Sequence, residues 1–219
     1  MKELEIPDLN LFMVCKMPNR QAFSTLPAGY CFSLCRPEEL DTWKKFPLDG
    51  SEFDNPEDYL VFERYMTNFF NQVYSEQENL FYSKCLFVRN EKGVPVATCF
   101  IWKAYHKINT LQWLKVKKEF ENKKIGRALI THVLSQLNPT DLPVYLHTQP
   151  ASYRAIKLYS DFGFELISGP VPGPRANHLK ESLPILEEFM PEKEFKKLKF
   201  TPAPLEFLDA AGCSTVIEF

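Results

Sequence analysis

Between Cys85 and Gln149 the hydropathy period changes twice, and that change limits the chain to a fold that mixes sheet and helix. Cys85-Leu86-Phe87-Val88 runs into Asn90-Glu91-Lys92-Gly93, a hairpin turn signal, and Val94 to Trp102 is the return strand. A further turn near His106-Lys107 precedes Ile108 to Val116, so three consecutive strands in an antiparallel meander are expected. From Ile125 the period becomes helical. Ile125, Leu129 and Val133 share one face, with Ile130, Leu134 and Leu137 beside it, until Asn138-Pro139 stops the helix. Val144 to Gln149 reads as a strand again, and a strand–helix–strand unit of this kind predicts parallel pairing of its two strands.

The flanks are read with less pattern to guide them. The first 25 residues are irregular, and a strand begins near Tyr30. Arg36-Pro37-Glu38-Glu39-Leu40 reads as a helix start with acids favoured by the helix dipole. Asp54-Asn55-Pro56-Glu57-Asp58 reads as a second start, a capping residue followed by proline and acids. The acidic run from Asp49 to Asp58 is taken as a capped, solvated helix start rather than a site for a cation. A helix from Ser152 to Asp161 has Ser152 as its cap, Gly163 in the left-handed position after its last turn and Phe164 as the apolar partner. Beyond Glu165 the chain predicts a Gly/Pro loop, a helix from Asn177 to Met190 interrupted at Pro184, a short turn of helix from Glu192, and a terminal strand from Cys213 to Phe219.

The expected fold class is therefore mixed α/β, a central sheet of six to seven strands flanked by helices. Residues 1–167 are expected to form one domain, its core from about residue 28 being the extent of a family resemblance given below, and residues 168–219 a carboxy-terminal helical extension packed on it. A net charge of −2 argues against a nucleic-acid or membrane partner held by a basic face. No run approaches the length of a membrane span and no secretory signal is seen, so a cytoplasmic protein is expected. The six cysteines form no CxxC pair and no zinc spacing, and read as reduced thiols. His132 lies mid-helix without a partner at ligand spacing, so no metal is expected.

The chemistry is concentrated between Trp113 and Leu129, where a strand ends, a short polar loop follows and a helix opens with Gly126 in its first turn. Free N–H groups at a helix start form an anion site, the loop brings Lys123, Lys124 and Arg127, and glycine lets a ligand approach the backbone. This suits a diphosphate, although an ordinary junction with solvated lysines has the same outline.

The stretch resembles the acyl-CoA loop of the GNAT superfamily of N-acyltransferases, whose pattern Gln/Arg-x-x-Gly-x-Gly/Ala falls on Glu121, Asn122, Lys123, Lys124, Ile125 and Gly126. Downstream, Ser152-Tyr153-Arg154-Ala155-Ile156-Lys157-Leu158-Tyr159-Ser160-Asp161-Phe162-Gly163-Phe164 resembles the family's Asn-x-x-Ala-x-x-Leu-Tyr-x-x-x-Gly-Phe. Glu121, Lys124 and Ser152 depart from the pattern. The resemblance implies the GNAT-like acyl-CoA N-acyltransferase fold. It implies acetyl-CoA (coenzyme A) as co-substrate, and an acetyl group moved by direct attack onto a primary amine of a small-molecule or peptide acceptor. A monomer or homodimer is expected. By the same resemblance, backbone groups of Leu114 and Val116 bond the acyl and pantetheine amides, and a backbone N–H near Leu114 receives the oxyanion. The backbone from Asn122 through Lys123, Lys124, Ile125 and Gly126 to Arg127 holds the diphosphate, with Ser152 at the second motif, and Tyr159 is the general acid. His147, His106 and Glu119 are the side chains weighed as base, none preferred over water. The alternative expectation is a non-catalytic acyl-CoA sensor or scaffold of the same fold.

Overall fold

The computed structural model describes residues 6–50 and 56–219. Eight strands form one sheet: β1 (Leu11–Cys15), β2 (Tyr30–Leu34), β3 (Leu86–Asn90), β4 (Pro95–Ala104), β5 (Ile108–Val116), β6 (Val144–Thr148), β7 (Glu165–Ser168) and β8 (Phe200–Pro202). Their order is β2-β3-β4-β5-β6-β1-β7-β8. The helices are α1 (Leu40–Lys45), α2 (Pro56–Val73), α3 (Glu78–Lys84), α4 (Ile125–Ser135), α5 (Tyr153–Asp161), α6 (Leu179–Phe189), α7 (Glu192–Phe195) and α8 (Leu205–Gly212).

The meander β3–β4–β5 is antiparallel, and β5 pairs parallel with β6 across the α4 connection, as the periods require. Alternation sorts the side chains onto two faces. Leu86, Val88, Ala97 and Cys99 join Ile125, Leu129 and Val133 of α4, Ile156 and Tyr159 of α5 and Leu186 of α6 in one core. Phe87, Phe100 and Trp102 point the other way, into an aromatic cluster with Trp43 of α1, Phe69 and Phe70 of α2 and Phe81 of α3. Further along that second face, Ala104, Ile108, Phe12 and Val14 pack with Phe207 and Ala210 of α8.

Three expectations are corrected. The first 25 residues are not irregular throughout: Leu11–Cys15 is a fully buried strand lying between β6 and β7, antiparallel to both. Both faces of β1 are covered, so its sequence is an unbroken apolar run with no alternation to mark it as a strand. Residues 213–219 form no strand. The added edge is Phe200–Pro202, three residues parallel to β7. Pro184 sits inside a continuous α6 and does not interrupt it. Pro56 opens α2 as read, while Asp54 and Asn55, expected to cap it, lie outside the described residues.

Candidate active site

The site begins with a fault in the sheet. Thr98 is opposite Lys115 and Phe100 opposite Gln112, so Trp113 and Leu114 of β5 together face Cys99 of β4. This is a β-bulge, which bends its strand and re-aims local groups. Trp113 takes φ 52°, a left-handed conformation that a bulky residue adopts only when its surroundings enforce it. Here they do. Trp113 Nε1–H donates to the Tyr74 hydroxyl at 2.9 Å, and its ring packs edge-on against Phe69 and Trp43 at 5.2 and 5.7 Å. Tyr74 OH in turn bonds Gln112 Oε1. The Gln112 amide donates to Thr110 Oγ1 at 2.9 Å and to the Glu218 carbonyl at 2.8 Å. Sequence reasoning missed this string, although a glutamine inside the run Leu111-Gln112-Trp113-Leu114 was its visible signal.

Beyond the fault the sheet opens. The β5–β6 pairing consists of Asn109 with Val144 and Thr110 with Tyr145, after which the strands part. A cleft of about 940 Å³ occupies the opening, lined by Leu111 to Leu114 on one side and His147 to Gln149 on the other. It reaches through both layers: Phe62, Tyr65 and Phe69 of α2 border it from the aromatic face, and Ser152 and Tyr159 from the α4–α5 face.

Tyr159 is 6 % exposed at the cleft wall, with its ring against Phe164 at 5.8 Å. Burial, with a smaller contribution from Cys99, raises its pKa well above that of a free phenol, so the hydroxyl stays protonated at neutral pH. His147 is a neutral imidazole. Its Nδ1 accepts from Arg175 at 3.3 Å, which leaves Nε2–H to donate to Asn10 Oδ1 at 2.9 Å. Burial first and Arg175 second hold its pKa at about 3, far too low for a base at neutral pH. His106 lies on the β4–β5 turn with φ 55° and does not line the cleft.

Leu114 and Ser152 line the cleft with Tyr159, whereas Val116 at the end of β5 and residues 122–127 in the loop and first turn of α4 lie outside its wall. Ser152 stands at the cap position of α5 but its side chain makes no capping bond. Lys124 caps α4 with φ 63° and ψ 10°, and Asn122 has φ 60°, so the loop turns through two left-handed residues. None of the main-chain N–H groups from Asn122 to Arg127 has a protein acceptor among the described residues; the first intrahelical bond runs from Ala128 N–H to the Lys124 carbonyl at 3.0 Å. Such a concave run of amides is the backbone arrangement that holds a diphosphate. A Cβ at Gly126 would lie no nearer than 3.5 Å to Val116 and 3.6 Å to Leu158, so the protein itself leaves that surface open.

The side chains of the loop are mostly committed elsewhere. Lys123 donates to the Glu119 carbonyl at 3.0 Å and lies over the Phe120 ring. Arg127 pairs with Asp161 and donates to the Ala22 carbonyl. Glu121 is turned toward Arg154 at 3.7 Å, which offsets its charge beside the amides. Among the described residues no group of three or more histidines, cysteines or acids is placed to hold a metal.

Residues 48–164 match the family model of the Acetyltransferase (GNAT) family, more than half of the chain. The chain belongs to the GNAT family. Its fold is that of a tandem GNAT protein from the clavulanic acid biosynthesis pathway, at 13 % identity and a TM-score of 0.51 over 74 % of this chain. A GCN5-related N-acetyltransferase from Sphaerobacter thermophilus is 18 % identical over 68 % of the chain, with a TM-score of 0.43. A GNAT acetyltransferase from Staphylococcus aureus Mu50 is 17 % identical over 60 %, with the same TM-score. The chain spans 50 % of the tandem protein, 47 % of the Sphaerobacter protein and 81 % of the Staphylococcus protein. It also spans 36 % of a Pyrococcus horikoshii relative. No curated protein sequence matches it. As a GNAT chain, its fold and family are those of acyltransferases. No helix among the described residues is long and apolar enough to cross a membrane.

Proposed function

We propose that this GNAT chain transfers an acetyl group from acetyl-CoA to the primary amine of a small-molecule or peptide acceptor, by direct attack in a ternary complex. The observation that carries the reading is the run of unpartnered amides from Asn122 to Arg127, set at the end of a bulged strand whose opening leads to Tyr159. The left-handed Lys124 supports it, because it stands where the family motif has glycine, the residue that adopts this conformation at least cost.

Acetyl-CoA would supply an activated thioester: the amine lone pair forms a C–N bond to the acetyl carbon, the C–S bond breaks, and coenzyme A leaves as the thiol. In this reading the amides from Asn122 to Arg127 hold the diphosphate, and main-chain groups of Leu114 and Val116 bond the acyl and pantetheine amides. The Leu114 N–H, turned by the bulge, receives the oxyanion. Tyr159 gives its proton to the departing thiolate, and the proton lost by the amine passes to water and returns through solvent to the Tyr159 phenolate, which closes the cycle. His147 is neutral and takes no proton. The opening through both layers suits two substrates that meet from opposite faces, the carrier from the α4–α5 side and the acceptor from the α2 side.

The same reading takes residues 1–167 as the acyltransferase domain and residues 168–219 as an extension that joins the sheet through β8. It has the protein act in the cytoplasm, as a monomer or homodimer, without a metal, nucleic acid or membrane partner. The test has two arms. Millimolar CoA or acetyl-CoA raises the melting temperature, and free-thiol release across an amine panel finds an acceptor. Tyr159→Phe lowers kcat by about a hundredfold while CoA affinity is kept. If neither CoA nor acetyl-CoA stabilises the protein, the cradle is not one; binding without thiol release would make it a sensor.

A further inference from the structure

Arg175 stands on the wall of the cleft. Arg36, Arg89, Arg127 and Arg154 each pair with a carboxylate, and of the remaining arginines, Arg20, Arg64 and Arg175, it is Arg175 that lines the cleft. Among the described residues Arg175 has no ion pair. Its hydrogen-bond partner is the Nδ1 of neutral His147 at 3.3 Å, and Tyr65 lines the cleft with it. Asp8 shares the wall and acts on it electrostatically from beyond ion-pair distance. Burial lowers the pKa of Arg175, although the guanidinium stays charged at neutral pH. A guanidinium carries more N–H donors than this partner takes up, and its fork matches a carboxylate.

The wall beside it is apolar. Phe62 and Phe69 of α2 and Trp113 of β5 line the same cleft, and Val61 and Tyr65 are left 61 % and 41 % exposed along it. A charged fork set against an aromatic surface selects a ligand with an anionic group and an apolar body. Both features lie on the face opposite Tyr159 and the α4 amides, where the acceptor would enter. Asn10 holds His147 from its other nitrogen, which keeps the imidazole an acceptor toward Arg175 and fixes the fork in place.

We infer that the acceptor is a free α-amino acid with an apolar or aromatic side chain, its carboxylate held by Arg175 and its side chain laid against Phe62, Tyr65, Phe69 and Trp113. The inference deepens the acetyl-transfer reading and rests on it for the fate of the amine.

The test compares phenylalanine with phenylalanine amide and phenethylamine as acceptors, by thiol release from acetyl-CoA. The wild-type protein should favour phenylalanine in kcat/KM, and Arg175→Gln should raise its KM by about tenfold to a hundredfold and bring the preference toward unity. Arg175→Lys, which keeps the charge and loses the fork, should fall between, with melting curves confirming that both variants fold. Equal use of acid and amide by the wild type, or an equal loss on both in Arg175→Gln, overturns the assignment. If no amine is acetylated, calorimetry with N-acetylphenylalanine and its amide decides separately. Discrimination that vanishes in Arg175→Gln upholds the carboxylate site while the transfer reading falls, and no discrimination removes the site.

Discussion

At the residue scale, Trp113 and Lys124 both take left-handed backbone conformations, with different support. Trp113 is held at positive φ by its bond to Tyr74 and by ring packing, so its strain is balanced locally. Lys124 has no such support: its side chain makes no cap bond, and its left-handed conformation costs on the order of 1 kcal/mol in an L-residue. Replacing it should therefore stabilise the fold. Lys124→Gly is expected to raise unfolding free energy by about 0.5–1 kcal/mol, after allowing for glycine's greater freedom in the unfolded chain, as read from urea midpoints. A midpoint that falls would mean that the lysine side chain contributes more than its backbone loses.

At the scale of elements, the loop between β7 and α6 carries Arg175, the residue proposed to select the acceptor. Gly173 has φ 99°, and a Cβ there would lie 2.3 Å from the Ala211 carbonyl of α8. Neither backbone can yield cheaply, so Gly173→Ala should destabilise by more than about 2 kcal/mol in thermal or urea unfolding. Because Arg175 is two residues further on, any preference for a carboxylate should weaken in the same variant. The sequence places this loop but says nothing of its contacts, since no local period announces what a Gly/Pro segment will pack against. The same boundary separates the elements that were legible from those that were not. The meander, α4 and β6 follow from periodicity within one stretch of chain, and the αL position of Gly163 follows from a local cap rule. β1 was hidden because a strand covered on both faces does not alternate, and β8 because three residues are too few to carry a pattern. For the site, the loop at Asn122–Arg127 and Tyr159 could be named from the resemblance to the GNAT motifs. Asn10 and Arg175, on the cleft wall, and Tyr74, behind Trp113, could not, because they come from distant parts of the chain.

Across the whole molecule, two groups far apart make the protein acid-sensitive in the same direction. His147 is held at about 3, mainly by burial, against 6.5 when free. The unfolded chain takes up a proton that the folded chain refuses, so stability is full above about 6.5 and is lost as pH falls toward 3. Glu39 is held at about 2, against 4.5, by its paired hydrogen bonds from Arg89 at 2.7 and 2.6 Å, and its contribution is lost as pH falls from 4.5 toward 2. Urea midpoints should therefore decline in two overlapping stages between pH 7 and pH 3. His147→Gln should flatten the upper stage and Glu39→Gln the lower. A midpoint constant from pH 7 to pH 5 in the wild type would contradict the burial of a neutral His147.

The aromatic string that holds the bulge has an optical consequence. The chain has three tryptophans, and Trp43, Trp102 and Trp113 all belong to the cluster around Tyr74, with Trp113 itself on the cleft wall. The intrinsic emission of the whole protein thus originates beside one binding groove, and its colour and intensity are a built-in gauge of what that groove contains.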